Sequence, residues 1–163
     1  ENIMMNIEQR MLELQIQLPQ PWQLPVGVKI PAPIIRIHRQ RVMVSGHVPL
    51  DQNGHVTGPF GKVGDSVSLE AAQTAASLTM LAILASLKKE LGELDRIVAW
   101  IRIFGLVNSA PNFVDFPSVM NPASQLVQDI FGSEIGAHSR IAVGVAGLPW
   151  HVPVEIEAEL EIR

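Results

Sequence analysis

The chain has no cysteine and no tyrosine, and aromatic residues make up only 5% of its 163 positions. Without thiols there is no disulfide framework, no thiolate metal site and no cysteine nucleophile, a usage that fits a reducing cytosol. Scarce aromatics leave few platforms for stacking unpaired bases. Charged residues are also sparse, at 17%, and they sum to −4, so the chain is poorly equipped to neutralise a phosphate backbone. Long apolar runs are missing too. The greasiest stretch, "AASLTMLAILASL", is short for a bilayer and interrupted by hydroxyls. The opening "ENIMMNIEQR" lacks the basic flank and apolar centre of a secretory leader. The expectation is a soluble, cytoplasmic protein with no membrane contact and no nucleic acid as its main partner.

What is present suffices for one packed domain. Hydrophobic residues reach 47% and the mean hydropathy is +0.24. With so few charges, this predicts apolar surface buried between subunits as well as within one. Residues 6–16 place Ile7, Met11, Leu14 and Ile16 near one helical face. The proline-rich "LPQPWQLPVGVKIPAPI" then favours an extended path, because proline fixes φ and removes a donor. Residues 1–29 are thus expected to form an extension ahead of a single domain at 30–163.

Along that domain, "IIRIH" and "RVMVSG" read as strands joined by a tight turn at Arg39 and Gln40. A glycine-dense loop follows. Ser68 caps a helix that runs to Leu91, with Glu70 in its first turn, Lys88 and Lys89 in its last and Gly92 as its stop. Alanine and leucine almost all round predict that this helix is covered on more than one side. "RIVAWIRIFGLV" is too hydrophobic for an edge strand exposed on both faces. Pro117 opens a second helix closed by Gly132, and Pro122 within it demands a distorted first turn or a later start. Strands at 140–146 and 153–162 finish the chain. This order suits an α+β domain, with helices gathered on one face of a mixed sheet and a partner subunit on the other.

In "VEIEAELEI" apolar and acidic residues alternate strictly, which puts Val154, Ile156, Ala158, Leu160 and Ile162 on one face and Glu155, Glu157, Glu159 and Glu161 on the other. A solvated outer face explains such a row, and cations at Arg36, His38 and Arg102 are available to relieve its repulsion. Glu155 stands apart because it starts its strand. Arg140 also starts one, in "AHSRIAVGVAGLPW". The residues alone leave Arg140 either as an incidental surface cation or as a fixed one awaiting an anion. Were the last two strands a simple hairpin, Arg140 and Glu155 would lie at its opposite ends, and only contact between subunits would unite them.

Other chemistry finds little support. The five histidines lack the i, i+4 spacing of a helical zinc site, so no metal is expected. His138, two positions before Arg140, would share its strand face and tune the local charge. No glycine-flanked serine elbow is present, and "GPFGKVGD" lacks the Gly-Lys-Ser/Thr order of a phosphate loop.

Three blocks in matching order, spanning roughly residues 30–163, carry a family likeness. "RIAVGVAGLPWHVPVEIEAELEI" has an arginine, an apolar strand ending in Ala-x-Leu-Pro, and a Val-Glu-Ile-Glu strand. "VMVSGHVPLD" is similar to a Val-Ser-Gly-Gln-x-Pro block, and "VMNPASQLVQDIFG" to a segment that carries an asparagine before the second helix. With these the chain resembles the YjgF/RidA family of reactive intermediate deaminases. The resemblance implies a chorismate-mutase-like α+β fold, assembled as a homotrimer with three clefts between subunits. It implies hydrolysis of enamine or imine products of pyridoxal-phosphate enzymes to 2-keto acids and ammonia, with no metal or organic cofactor.

By the same resemblance Arg140 holds the substrate carboxylate, for which a planar guanidinium offers a two-pronged grip. Backbone groups at Gly46 and Ala142 line the cleft, Glu155 holds and polarises the attacking water, and Asn121 supports them by hydrogen bonding. The chain departs from the family pattern in having no tyrosine near the first strand and His47 where glutamine is common. The N-terminal extension and the longer "VNSAPNFVDFP" loop mark a divergent branch. Two other readings stand beside the deaminase. One is a non-catalytic binder or sensor of small carboxylates that uses the same arginine. The other is an endoribonuclease, which the acidic balance and scarce aromatics disfavour.

If neighbours bury the second sheet face, a charge at Val143 or Val145 should yield monomers or insoluble chains, because an unpaired buried charge is costly. Light scattering on Val143→Glu is the check. A folded, monodisperse variant of native mass would contradict the buried face.

Overall fold

The computed structural model describes residues 6–163. Its elements are α1 (Ile7–Glu13), β1 (Ile35–His38), β2 (Arg41–His47), α2 (Leu69–Leu91), β3 (Ile97–Asn108), α3 (Phe116–Ile135), β4 (Ser139–Val145) and β5 (Val154–Ile162). Five strands form one sheet in the order β1-β2-β5-β3-β4, antiparallel throughout except for β3 with β4. A parallel neighbour requires a crossover, and α3 provides it. The α+β arrangement, with helices packed on one face of a mixed sheet, is as expected.

Helix α2 begins and ends where its capping residues place it. The Ser68 side chain accepts from the Ala71 N–H at 3.1 Å, and Gly92 closes the helix with φ of 80°. Its length and composition would pass for a membrane span, yet most of its apolar surface is used inside the fold. Ala72, Ala76, Met80, Ile83, Leu84 and Leu87 are all fully buried against the sheet and α3. Small residues allow that close approach on several sides.

Pro122 neither breaks α3 nor delays it. The helix starts at Phe116 and runs through the proline. Pro122 cannot donate to the Ser118 carbonyl one turn back, and that carbonyl instead accepts from Gln73 Nε2 of α2 at 2.8 Å. Two boundaries differ from expectation. Gly132 does not close α3; it adopts φ of 85° and interrupts the helix locally, which resumes to Ile135. The first helix is shorter than residues 6–16, because Gln15 turns to φ of 57°, although Leu14 and Ile16 still pack on the core.

The last two strands do not form a hairpin. β4 and β5 do not pair, because β3 lies between them. Strand β3 accounts for its own greasiness: Ile97, Trp100, Ile103 and Val107 are buried under the helices. On the opposite face Phe104 aligns with Ile141 and Glu157, and Leu106 with Val143 and Glu155. Among the described residues no helix covers those rows, and Ile141 is 44% exposed. The cations expected beside the glutamate row are partly reassigned. Glu159 pairs with Arg41 at 2.9 Å, whereas Arg36 and His38 make no ion pair among the described residues. Arg102 lies opposite Glu159 in register, but its guanidinium sits over the Phe104 ring at 5.2 Å.

The extension is tied to the rest of the chain. Met11 is buried in the common core, Asp95 accepts from the Ile7 N–H at 3.0 Å, and Lys88 pairs with Glu8. Further on, Trp22 packs its ring 5.4 Å from that of His47. His47 is fully buried, with Nδ1 2.6 Å from the Ser45 carbonyl and Nε2 2.7 Å from Ser86 Oγ. A carbonyl only accepts, so Nδ1 carries the hydrogen and the neutral ring accepts the Ser86 hydroxyl.

Burial pushes the His47 pKa from 6.5 down to about 4, against a smaller upward pull from the Ser45 hydrogen bond. The folded pKa lies below the unfolded one, so folding favours the neutral ring. The resulting stability is complete above about pH 6.5 and is lost as pH falls towards 4. The difference amounts to about 3 kcal/mol. Urea unfolding of the wild type should therefore weaken through this window, and His47→Gln should flatten the decline. An equal decline in the variant would assign the acid lability to other groups.

Candidate ligand-binding site

Arg140 lies in register with Ile103 of β3, and Ile103 is a core residue beneath the helices. Its side chain therefore points to the helix side of the sheet, where α3 presents Asn121 and Ser124 three positions apart on one face. Nη2 donates to Asn121 Oδ1 at 3.0 Å and Nη1 to Ser124 Oγ at 3.1 Å. His138 approaches the same hydroxyl, Nε2 to Oγ 2.9 Å, while its Nδ1 lies 2.8 Å from the Gly136 carbonyl. None of the ion pairs among the described residues involves Arg140. Both partners of this half-buried guanidinium are neutral oxygens. They orient the cation without cancelling its charge, and three of its five N–H groups are left over.

Ala142 shares the helix side and packs against the core, and its strand is an edge strand with one ladder of backbone groups free. The predicted set Arg140, Asn121 and Ala142 thus comes together along one edge of the sheet. Ser124 belongs to this group and was not foreseen. Its signal was the i, i+3 spacing from Asn121 in "NPAS".

Glu155 and Gly46 form a second group. The β2–β5 register breaks between Val44 and His47, a bulge that turns Gly46 towards the start of β5. The Glu155 carboxylate occupies the space where a side chain on Gly46 would stand, since an ideal Cβ there would overlap Oε2. Burial pushes the Glu155 pKa above the ordinary carboxylate range, and the charge of Glu157 adds to the rise. No ion pair among the described residues engages Glu155.

Within one chain the two groups stay apart. Arg140 shares its row with Ile103 and Ala158, whereas Glu155 shares its row with Leu106 and Val143. Three residues of displacement correspond to about 10 Å along the strands. An odd displacement also reverses the face, so Arg140 points to the helices and Glu155 to the open side. A cavity of about 260 Å³ lies away from both groups, between Trp22, Pro33, Ile35 and Lys89.

A second unforeseen residue is Lys62, whose Nζ donates to Asn108 Oδ1 at 2.9 Å and to the Ala146 carbonyl at 2.6 Å. It ties the glycine-rich loop to the ends of β3 and β4.

Residues 10–155 match the family described as "YjgF/chorismate mutase-like, putative endoribonuclease". The chain belongs to the YjgF family. Protein TCP17 of Trypanosoma cruzi is 38% identical over 121 residues, 74% of each chain. Among solved structures, Atu1372 of Agrobacterium tumefaciens, a protein of unknown function, is 37% identical with a TM-score of 0.82. That match covers 96% of this chain and 91% of Atu1372, so it takes in most of the N-terminal extension. A Shewanella oneidensis protein is 26% identical with a TM-score of 0.85, over 97% of this chain and 100% of its own. The extension is therefore shared with both of these structures.

Gly46→Ala tests the packing of the second group. The added methyl meets the end of a flexible side chain, so stability should change by less than about 1 kcal/mol. Displaced into water, the Glu155 carboxyl should titrate lower than in the wild type, as read by carboxyl ¹³C shifts. An unchanged titration would mean that Gly46 does not set the burial of Glu155.

Proposed function

We propose that the protein hydrolyses reactive enamine or imine intermediates to 2-keto acids and ammonia, in clefts between the subunits of a homotrimer. One observation carries this reading: a half-buried guanidinium is held by Asn121 and Ser124 and meets no carboxylate among the described residues. Such a cation is prepared for an external anion, and a small carboxylate fits its paired N–H groups. The uncovered rows of Phe104, Leu106, Ile141 and Val143 support association through the open sheet face. Packing that face against the β4 edge of a neighbour would bring Glu155 and Gly46 to Arg140, Asn121 and the Ala142 backbone.

In this cleft Arg140 holds the substrate carboxylate and Glu155 orients a water against the imine carbon. As the C–O bond forms, the C=N pair moves to nitrogen, and Glu155 takes one proton from the water and passes it to that nitrogen, leaving a neutral carbinolamine. Glu155 then takes the hydroxyl proton and gives it to the amine as the C–N bond breaks, forming C=O and releasing ammonia. A carboxylate raised by burial is a stronger base than one in water and can return its proton to the leaving nitrogen.

The lack of tyrosine favours, as second reading, a carboxylate binder without turnover. Endoribonuclease activity fits less well, because the open face carries Glu155, Glu157, Glu159 and Glu161 against a polyanionic substrate.

The test follows the decay of an imine generated from an amino acid. The wild type should accelerate it, Arg140→Ala should lower kcat/KM about 100-fold or more, and Glu155→Gln should lower kcat by about 10²–10⁴. Binding of the 2-keto acid without acceleration would replace the enzyme by the sensor, and neither binding nor acceleration would overturn both.

A further inference from the structure

The surroundings of Arg140 contain more than a carboxylate holder needs. Ser124 Oγ sits between Arg140 Nη1 at 3.1 Å and His138 Nε2 at 2.9 Å, and His138 Nδ1 lies 2.8 Å from the Gly136 carbonyl. Gly136 O can only accept, so His138 Nδ1 carries a hydrogen. In the neutral ring Nε2 is then bare and accepts the Ser124 hydroxyl. With its own hydrogen committed to His138, Ser124 Oγ turns lone pairs towards Arg140 Nη1, which has hydrogens only to give. All donors and acceptors along this line are matched in one direction, and each bond polarises the next.

We propose that Ser124 and His138 are positioning residues for Arg140. Their one-way hydrogen-bond chain, running from the guanidinium to the Gly136 backbone, holds the cation at the angle where its remaining N–H groups meet a carboxylate. Asn121 fixes the second terminal nitrogen, so the plane of the guanidinium is held at two points. A flexible arginine would lose rotamer freedom each time it bound, and this one has lost it beforehand. The fold supplies the anchors: Asn121 and Ser124 stand one turn apart on α3, and His138 lies on the turn that delivers α3 into β4. The inference rests on the reading of Arg140 as the carboxylate holder.

Two measurements test it separately. In the free protein at mildly alkaline pH, imidazole ¹⁵N shifts should show His138 as the Nδ1–H tautomer. Guanidinium rotation at Arg140 should be slow and should quicken in Ser124→Ala. In calorimetric titrations with 2-oxobutanoate, Ser124→Ala and His138→Leu should each weaken binding about tenfold, the loss of one charge-assisted hydrogen bond. The double variant should be no weaker than either alone, because both break the same chain. Ser124→Thr keeps the hydroxyl, and His138→Gln keeps one donor and one acceptor, so both should stay within about twofold of wild type.

An Nε2–H tautomer, wild-type binding by Ser124→Ala, or a Ser124→Thr variant as weak as Ser124→Ala would overturn the proposal. A wild type that fails to bind 2-oxobutanoate would instead overturn the carboxylate reading, while the tautomer and rotation measurements would still judge the chain.

Discussion

Strand β3 runs between β4 and β5, with β4 parallel on one side and β5 antiparallel on the other. Everything about the candidate site follows from that insertion. It carries Arg140 to the sheet edge, where α3 can reach it, and leaves Glu155 two strands further in. Because side chains alternate with period two, the three-residue offset between their rows also sends them to opposite faces. A chain with the same residues but a simple terminal hairpin would have a different chemistry.

The two groups are opposite in charge and lie on opposite faces of the chain. One holds a cation between neutral oxygens, and the other holds a carboxyl that burial makes reluctant to ionise. Each charge would be better stabilised by a counter-charge, and neither finds one among the described residues. Sites that bind a charged ligand are often built so, because a partner already in place would have to be displaced at a cost. The open apolar rows beside Glu155 are a second unmet demand on the same surface. Together they describe a chain whose single-subunit form leaves both its greasy face and its charged groups partly unused.

The helices are more than a lid on the sheet. Gln73 of α2 satisfies the carbonyl that Pro122 leaves free, so α3 crosses its proline without losing its line. This keeps Asn121 and Ser124, which flank the proline, on a rigid element facing β4. Gly105 serves the same end from below, for an ideal Cβ there would come within 2.6 Å of Met120. Precision at Arg140 is therefore inherited from core packing several residues away.

Much of the fold was legible in the chain itself. Ser68 and Gly92 bound α2 because capping is local chemistry, and the strict alternation of residues 154–162 declared a strand with one buried face. The family likeness also picked out Arg140, Asn121, Glu155 and Gly46. Strand order, the passage of α3 through Pro122, and the partners of Arg140 were decided only by tertiary structure. A sequence records which residues are apolar, acidic or basic, but not which strand lies beside which or which hydroxyl faces which nitrogen. Those depend on contacts between residues far apart in the chain, and they fix whether a charge is answered, buried or left open.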